Sequence, residues 1–150
     1  MKYLIEVVRE DGGFVITFPD APGCVTECDS ADETVSVARE ALEGWLETHL
    51  ATGKVPPRPV SAIPAKAVGI DVAPELALKL ELLWARREAG LTQSQLAKKI
   101  GVSQQRIAAL EDPDTEVKLS TAELVLKALG RSLSLSSSPL AKSPKSKTAA

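Results

Sequence analysis

The chain has 150 residues, 44 % hydrophobic and 25 % charged, a globular composition long enough for one ordinary domain or two small ones. Two cysteines and one histidine exclude a disulfide scaffold and an ordinary structural zinc site, and no apolar run approaches the ~18–20 residues that cross a bilayer. The formal net charge of −2 is unevenly spread: residues 1–73 hold six basic and twelve acidic groups, residues 74–137 hold nine and eight, and the remainder adds Lys142, Lys145 and Lys147. Lys2 to Arg9, rich in Tyr, Ile and Val, reads as a strand, and Glu6 interrupts its apolar stretch too early for a secretory signal. Glu10-Asp11-Gly12-Gly13 is a turn signal, and Phe14 to Phe18 is a second strand that completes a hairpin. Pro19 to Gly23 breaks the pairing, and Cys24 to Cys28 forms a third short strand. Ser30 with Glu33 has capping-box spacing, and Val35, Ala38, Ala41/Leu42, Trp45 and His49/Leu50 make one apolar stripe up to Gly53. Pro56-Pro57-Arg58-Pro59 is an extended connector, and a fourth strand over Lys66 to Val72 completes a β-β-β-α-β unit.

From Pro74 the pattern becomes helical. Leu76, Leu80, Leu83 and Trp84 form one face of the first helix and Leu78, Leu82 and Ala85 another. A helix apolar on two faces contacts more than one neighbour: its own core plus the N-terminal unit, or a second subunit. Gly90 ends it. Thr92 with Gln95 and Ser120 with Glu123 have capping-box spacing, and Ser103 caps the helix between them. Leu124, Val125, Ala128 and Leu129 supply the core face of the last helix, with Gly130 as terminator. Arg131 to Ser136 alternates like a short strand, and the Ser/Pro/Lys/Ala remainder reads as a disordered basic tail. The boundaries are therefore 1–73, 74–137 and 138–150.

The most specific segment is Thr92 to Glu111, in which a helix, a tight turn and a second helix fit helix-turn-helix geometry. Ala97 is small where the helices cross, Gly101 permits the left-handed turn, and Leu96, Ile100, Val102, Ile107 and Leu110 supply the apolar plug. The second helix presents Gln104 and Gln105 at the end that enters a major groove, and glutamine can bond bidentately to adenine. Gln93 and Ser103 sit at helix starts, where side chains and backbone N–H groups meet phosphate. The bland alternative is a compact helical hairpin whose glutamines are merely solvated.

With these residues, Leu80 to Leu135 resembles a Cro/repressor-type helix-turn-helix domain. The resemblance implies that Gln104 and Gln105 read bases and that Gln93 clamps phosphate, with Ser94 and Ser103 in the same set and Arg106 adding a base or backbone contact. One departure is the loop Asp112-Pro113-Asp114-Thr115-Glu116, acidic where such loops are often basic or glycine-rich. Phosphate binding near those charges calls for a dimer and low to moderate salt.

In the N-terminal half, Phe14 to Gly23, Val25 to Glu33, the Ala38-Arg39-Glu40-Ala41-Leu42 helix and the proline connector resemble a HicB-type antitoxin domain. That resemblance implies an α+β chain: a partial, degenerate RNase H-like domain without nuclease activity, followed by an all-α DNA-binding domain. It also implies a HicA-like mRNA-cleaving toxin and an operator on double-stranded DNA as partners, with repression of the chain's own operon. The acidic balance of residues 1–73 complements the basic surface an RNA-cleaving partner needs.

Other signals are weaker. Glu6, Asp20, Asp29, Asp32 and Glu33 are the carboxylates available for two-metal chemistry, but the last three are better explained as turn and cap residues. His49 suits packing or a helix C-terminus. Cys24 and Cys28, four apart on a strand, lie ~13 Å apart at Cα and cannot pair there, so both read as small buried residues. The resulting expectation is a cytoplasmic, non-enzymatic antitoxin and repressor that needs no cofactor, metal or membrane and acts as a homodimer or higher homo-oligomer. The toxin-contacting residues stay unassigned. The alternatives are a stand-alone regulator whose acidic unit binds another protein or a small ligand, and a residual nuclease.

Overall fold

In the computed structural model, which describes residues 1–140, an N-terminal β-rich region is followed by a helical bundle. The first strand forms in two pieces, β1 (Lys2–Leu4) and β2 (Glu6–Glu10), rather than as the single strand expected. The division falls at Ile5, whose N–H donates to Val68 O at 3.1 Å while the chain changes partners. β2 pairs antiparallel with β3 (Gly13–Thr17), and β3 pairs antiparallel with β4 (Val25–Cys28). Asp11 (φ 48°) and Gly12 (φ 87°) both take positive φ, as a two-residue hairpin turn compatible with strand twist requires.

A short 3-10 turn at Ala31–Glu33 leads into α1 (Thr34–Ala51). The expected Ser30/Glu33 capping box is absent: Ser30 makes no side-chain cap bond, and the α-helix begins beyond Glu33. Ala38, Leu42, Leu46 and Leu50 are the buried stripe of α1. Leu46 therefore joins it, and Val35 lies exposed instead. His49 stacks on Trp45 with ring centroids 3.9 Å apart, which fits the packing role. β5 (Gly69–Asp71) returns antiparallel beside β1 and is shorter than the segment expected. Cys24 and Cys28 are buried and free, and burial pushes the Cys24 thiol up from its ordinary range.

Four helices follow: α2 (Pro74–Glu88), α3 (Gln93–Ile100), α4 (Gln104–Glu111) and α5 (Leu119–Ala128). The two apolar faces anticipated for α2 go to different cores. Leu76, Leu80, Leu83 and Trp84 join the cluster of Tyr3, Ile16, Phe18, Leu42 and Ile70. Leu82 and Ala85 join Leu96, Ala97, Ile107, Leu110, Ala122, Val125 and Leu126. The proline connector straps the first cluster to α2: Trp84 Nε1 donates to Pro56 O at 2.7 Å, and the Arg58 guanidinium lies 4.4 Å from the Trp84 ring. Burial works against the Arg58 charge, but the Glu81 and Glu88 carboxylates outweigh it and hold the proton more tightly than usual.

α5 begins at Leu119, so Ser120 lies inside it and makes no cap bond. Leu126 is buried on its core face, whereas Leu124 is 54 % exposed. Arg131 to Ser136 does not form the expected strand. Of the tail, residues 138–140 have no regular structure, and 141–150 lie outside the described residues.

Candidate nucleic-acid interface

Local chemistry sets the start of both central helices. Thr92 forms the full capping box: its Oγ1 accepts from Gln95 N at 3.1 Å, and its own N–H donates to Gln95 Oε1 at 2.9 Å. Gly101 ends α3 in the left-handed conformation (φ 73°), and Ser103 Oγ accepts from Arg106 N at 3.3 Å to start α4. The chain thus turns in three residues between α3 and α4, whose buried Leu96, Ala97, Ile107 and Leu110 form the plug expected from the pattern.

Gln104 and Gln105 stand exposed on the first turn of α4, with Ser103 and Arg106 also exposed. Ser94 is exposed on the first turn of α3, beside half-buried Gln93. Gln93, Ser94 and Gln104 line one cleft of about 650 Å³. The cleft runs between the end of α1 and the starts of α3 and α4, with Arg86, Arg87 and Glu111 in its wall. Arg106 instead lines a smaller cavity with Val102 and Leu124. Two residues separate it from Gln104, and at 3.6 residues per turn that places it on another side of the helix.

A buried ion pair supports this surface. Arg86 Nε and Nη2 donate to Glu111 Oε1 and Oε2 at 2.5 and 2.7 Å, and Arg86 Nη1 donates to Leu91 O at 2.8 Å. The side chains are only 4 % and 9 % exposed, so the bidentate geometry must compensate two desolvated charges. Gln93 Nε2 donates to Glu111 Oε2 at 3.0 Å. That bond orients the Gln93 amide and leaves its second N–H for another acceptor. The acidic loop is held from below, with buried Lys79 donating to Pro113 O at 2.8 Å and Asp112 Oδ1 accepting from Asp114 N at 2.8 Å.

None of Arg86, Glu111 or Lys79 was singled out from the sequence, although a signal existed. Arg86 follows Leu82 by four and Glu111 follows Ile107 by four, which puts opposite charges on apolar stripes of two helices. Such placement asks for a buried partner.

The candidate carboxylates do not converge. Asp20 accepts from Ser61 N and Oγ, each at 3.1 Å, and therefore ties the connector to the sheet. Among the described residues no group of three or more His, Cys, Asp or Glu is arranged to hold a metal ion, and no helix is long and apolar enough to cross a membrane.

Residues 3–69 match a family described as HicB-like antitoxin of bacterial toxin-antitoxin systems, and residues 82–135 match a helix-turn-helix family. The chain is 32 % identical to Antitoxin HicB 1 of Photorhabdus laumondii over 127 residues, covering 85 % of this chain and 80 % of the relative. It is 30 % identical to Antitoxin HicB of Escherichia coli K12 over 136 residues, covering 90 % of this chain and 98 % of the relative.

Proposed function

The chain belongs to the HicB antitoxin family, and on that premise we propose that it neutralises a HicA-like mRNA-cleaving toxin by direct binding and represses its own operon through the helix-turn-helix. HicB antitoxins are non-catalytic, and this chain is not an enzyme. In this reading residues 1–73, a reduced RNase H-like unit, take the toxin, and residues 74–137 take operator DNA. Residues 138–150 add Lys142, Lys145 and Lys147 to the sequence and are assigned to neither role. The protein works in the cytoplasm as a homodimer or larger homo-oligomer, because one helix-turn-helix makes too few contacts for specificity, whereas two span half-sites ~34 Å apart.

The observation that carries the DNA half is the pair Gln104 and Gln105, exposed on the first turn of a Ser103-capped helix beyond a left-handed turn. These two side chains read bases. Gln93, oriented by Glu111, contacts phosphate with Ser94 and Ser103, and Arg106 adds a contact from the flank of α4. The acidic rim at Asp112 and Asp114 repels phosphate and weakens each single contact, which is why two copies are needed.

Gln104→Ala with Gln105→Ala tests this assignment. DNase footprinting on the DNA upstream of the gene is expected to lose protection with the double variant, at ~1–3 kcal/mol of discrimination per lost bidentate contact. Co-purification with the protein encoded next to it should persist. An unchanged footprint refutes the base-reading role.

A further inference from the structure

At β3 and β4 the sheet has one face on the core and one on solvent, whereas the outer strand β2 is exposed on both sides. Ile16 marks the core face, with Val7 and Thr26 directly opposite it. Alternation places the neighbouring residues outside. Register then assembles two rows across the three strands of the outer face: Val8, Val15 and Glu27, and Glu6, Thr17 and Val25. Glu10 continues that face at the hairpin end. Val8 is 60 % and Val25 is 59 % exposed, and Glu6, Glu10 and Glu27 are all exposed. The sheet positions on this face include no lysine or arginine; Arg9, paired with Phe14, falls on the opposite side of the sheet and is itself exposed. β2 is moreover an outer strand whose five residues are all exposed.

Three part-exposed valines inside an acidic ring add nothing to solubility, but they give a partner an apolar centre with a charged rim. A second copy of the same face is a poor match, since it sets glutamate against glutamate. The complementary partner is a protein whose contact surface is cationic with apolar residues at its centre. A ribonuclease has such a surface wherever it grips the RNA backbone.

We infer that the outer face of the β2-β3-β4 sheet, centred on Val8, Val15 and Val25 and ringed by Glu6, Glu10 and Glu27, is the surface that covers the cationic RNA-binding face of the toxin. The inference rests on the toxin-partner reading above and assigns the contact residues the sequence left open. The open backbone edge of β2 borders this surface, so a strand of the partner can extend the sheet while its basic groups meet the glutamates.

The test uses the full chain and the small protein encoded beside it as probe, with affinity read by biolayer interferometry. Glu6→Lys with Glu27→Lys is expected to weaken the complex ~10-fold or more at low salt and to flatten its salt dependence. Val8→Asp, which leaves those glutamates in place, should weaken it as well. Glu40→Lys with Glu47→Lys makes the same net charge change on the exposed side of α1 and should leave binding within about twofold, since only screened long-range charge is altered. Protection of upstream DNA serves as the folding control for every variant. If the wild-type chain binds the probe and the sheet variants bind equally well, the toxin reading stands and this surface is wrong. Equal losses from the α1 variant also overturn it, because the acidity is then not localised. A change of oligomeric state on substituting Val8 assigns the face to a second copy instead. Failure of the wild-type chain to bind the probe removes the toxin reading itself, and this inference with it.

Discussion

Tyr3 is fully buried in the first core, and its hydroxyl donates to Pro57 O at 3.1 Å. Burial, reinforced by the nearby Asp20 carboxylate, raises its pKa well beyond the ordinary value of 10.0. The folded chain therefore holds this proton more tightly than the unfolded chain. Its contribution to stability is complete below about pH 10 and declines as pH rises above that value, with a limiting slope of ~1.4 kcal/mol per pH unit. Tyr3→Phe is expected to cost ~0.5–1.5 kcal/mol at neutral pH through the lost hydrogen bond and to remove this alkaline slope. Urea unfolding at neutral and alkaline pH measures both. Because Tyr3 is the chain's one tyrosine, its absorbance change reports the ionisation without overlap. The sequence marks Tyr3 as a strand residue, but the identity of its acceptor depends on a connector 54 positions away.

At the scale of elements, three capping-box spacings occur and only Thr92/Gln95 forms. Ser30 has an extended backbone suitable for a cap, but the turn that follows is a 3-10 turn rather than the first turn of an α-helix. At the last helix, Glu75 Oε1 accepts from Val117 N at 3.2 Å, and the helix begins at Leu119, one residue before the serine that the spacing favours as cap. A capping motif states a local preference, and tertiary contacts choose where the chain turns. The α3–α4 turn is instead legible locally, because only a residue tolerant of positive φ fits after Ile100. A Cβ at Gly101 would meet nothing within 4 Å, so the cost of Gly101→Ala is conformational alone. It is expected at ~1–2 kcal/mol, with the fold retained and a lower urea midpoint at unchanged slope. Arg131 to Ser136 shows the opposite case: its alternation is that of a strand, yet no strand of the described chain pairs with it.

For the molecule as a whole, α2 is the shared element. Leu80 is buried in the cluster under the sheet and Leu82 in the helix-turn-helix cluster, and one rigid helix carries both. Arg58 adds to the joint by bonding Glu81 and Glu88, and Glu88 also pairs with Arg131, just beyond α5. Loss of either cluster therefore weakens the support of the other. Leu80→Ala and Leu82→Ala are each expected to cost ~2–5 kcal/mol. In calorimetry both should lower the midpoint of one common transition, whereas two separated transitions would show that α2 does not couple the clusters.

The sequence by itself determined the β2–β3 hairpin, the helix-turn-helix with its glutamine pair and the two-faced α2. These follow from apolar periodicity, turn chemistry and residue types at short spacing, which act within a few residues of chain. Only the tertiary structure decided the split of the first strand at Ile5, the buried Arg86–Glu111 pair that orients Gln93, and the cleft that gathers Gln93, Ser94 and Gln104 but not Arg106. It also brought Glu6 and Glu27, widely separated in sequence, onto one valine-centred sheet face. Each of these depends on which distant groups share a low-dielectric interior or a common strand register. Neither is encoded in the spacing of neighbours along the chain.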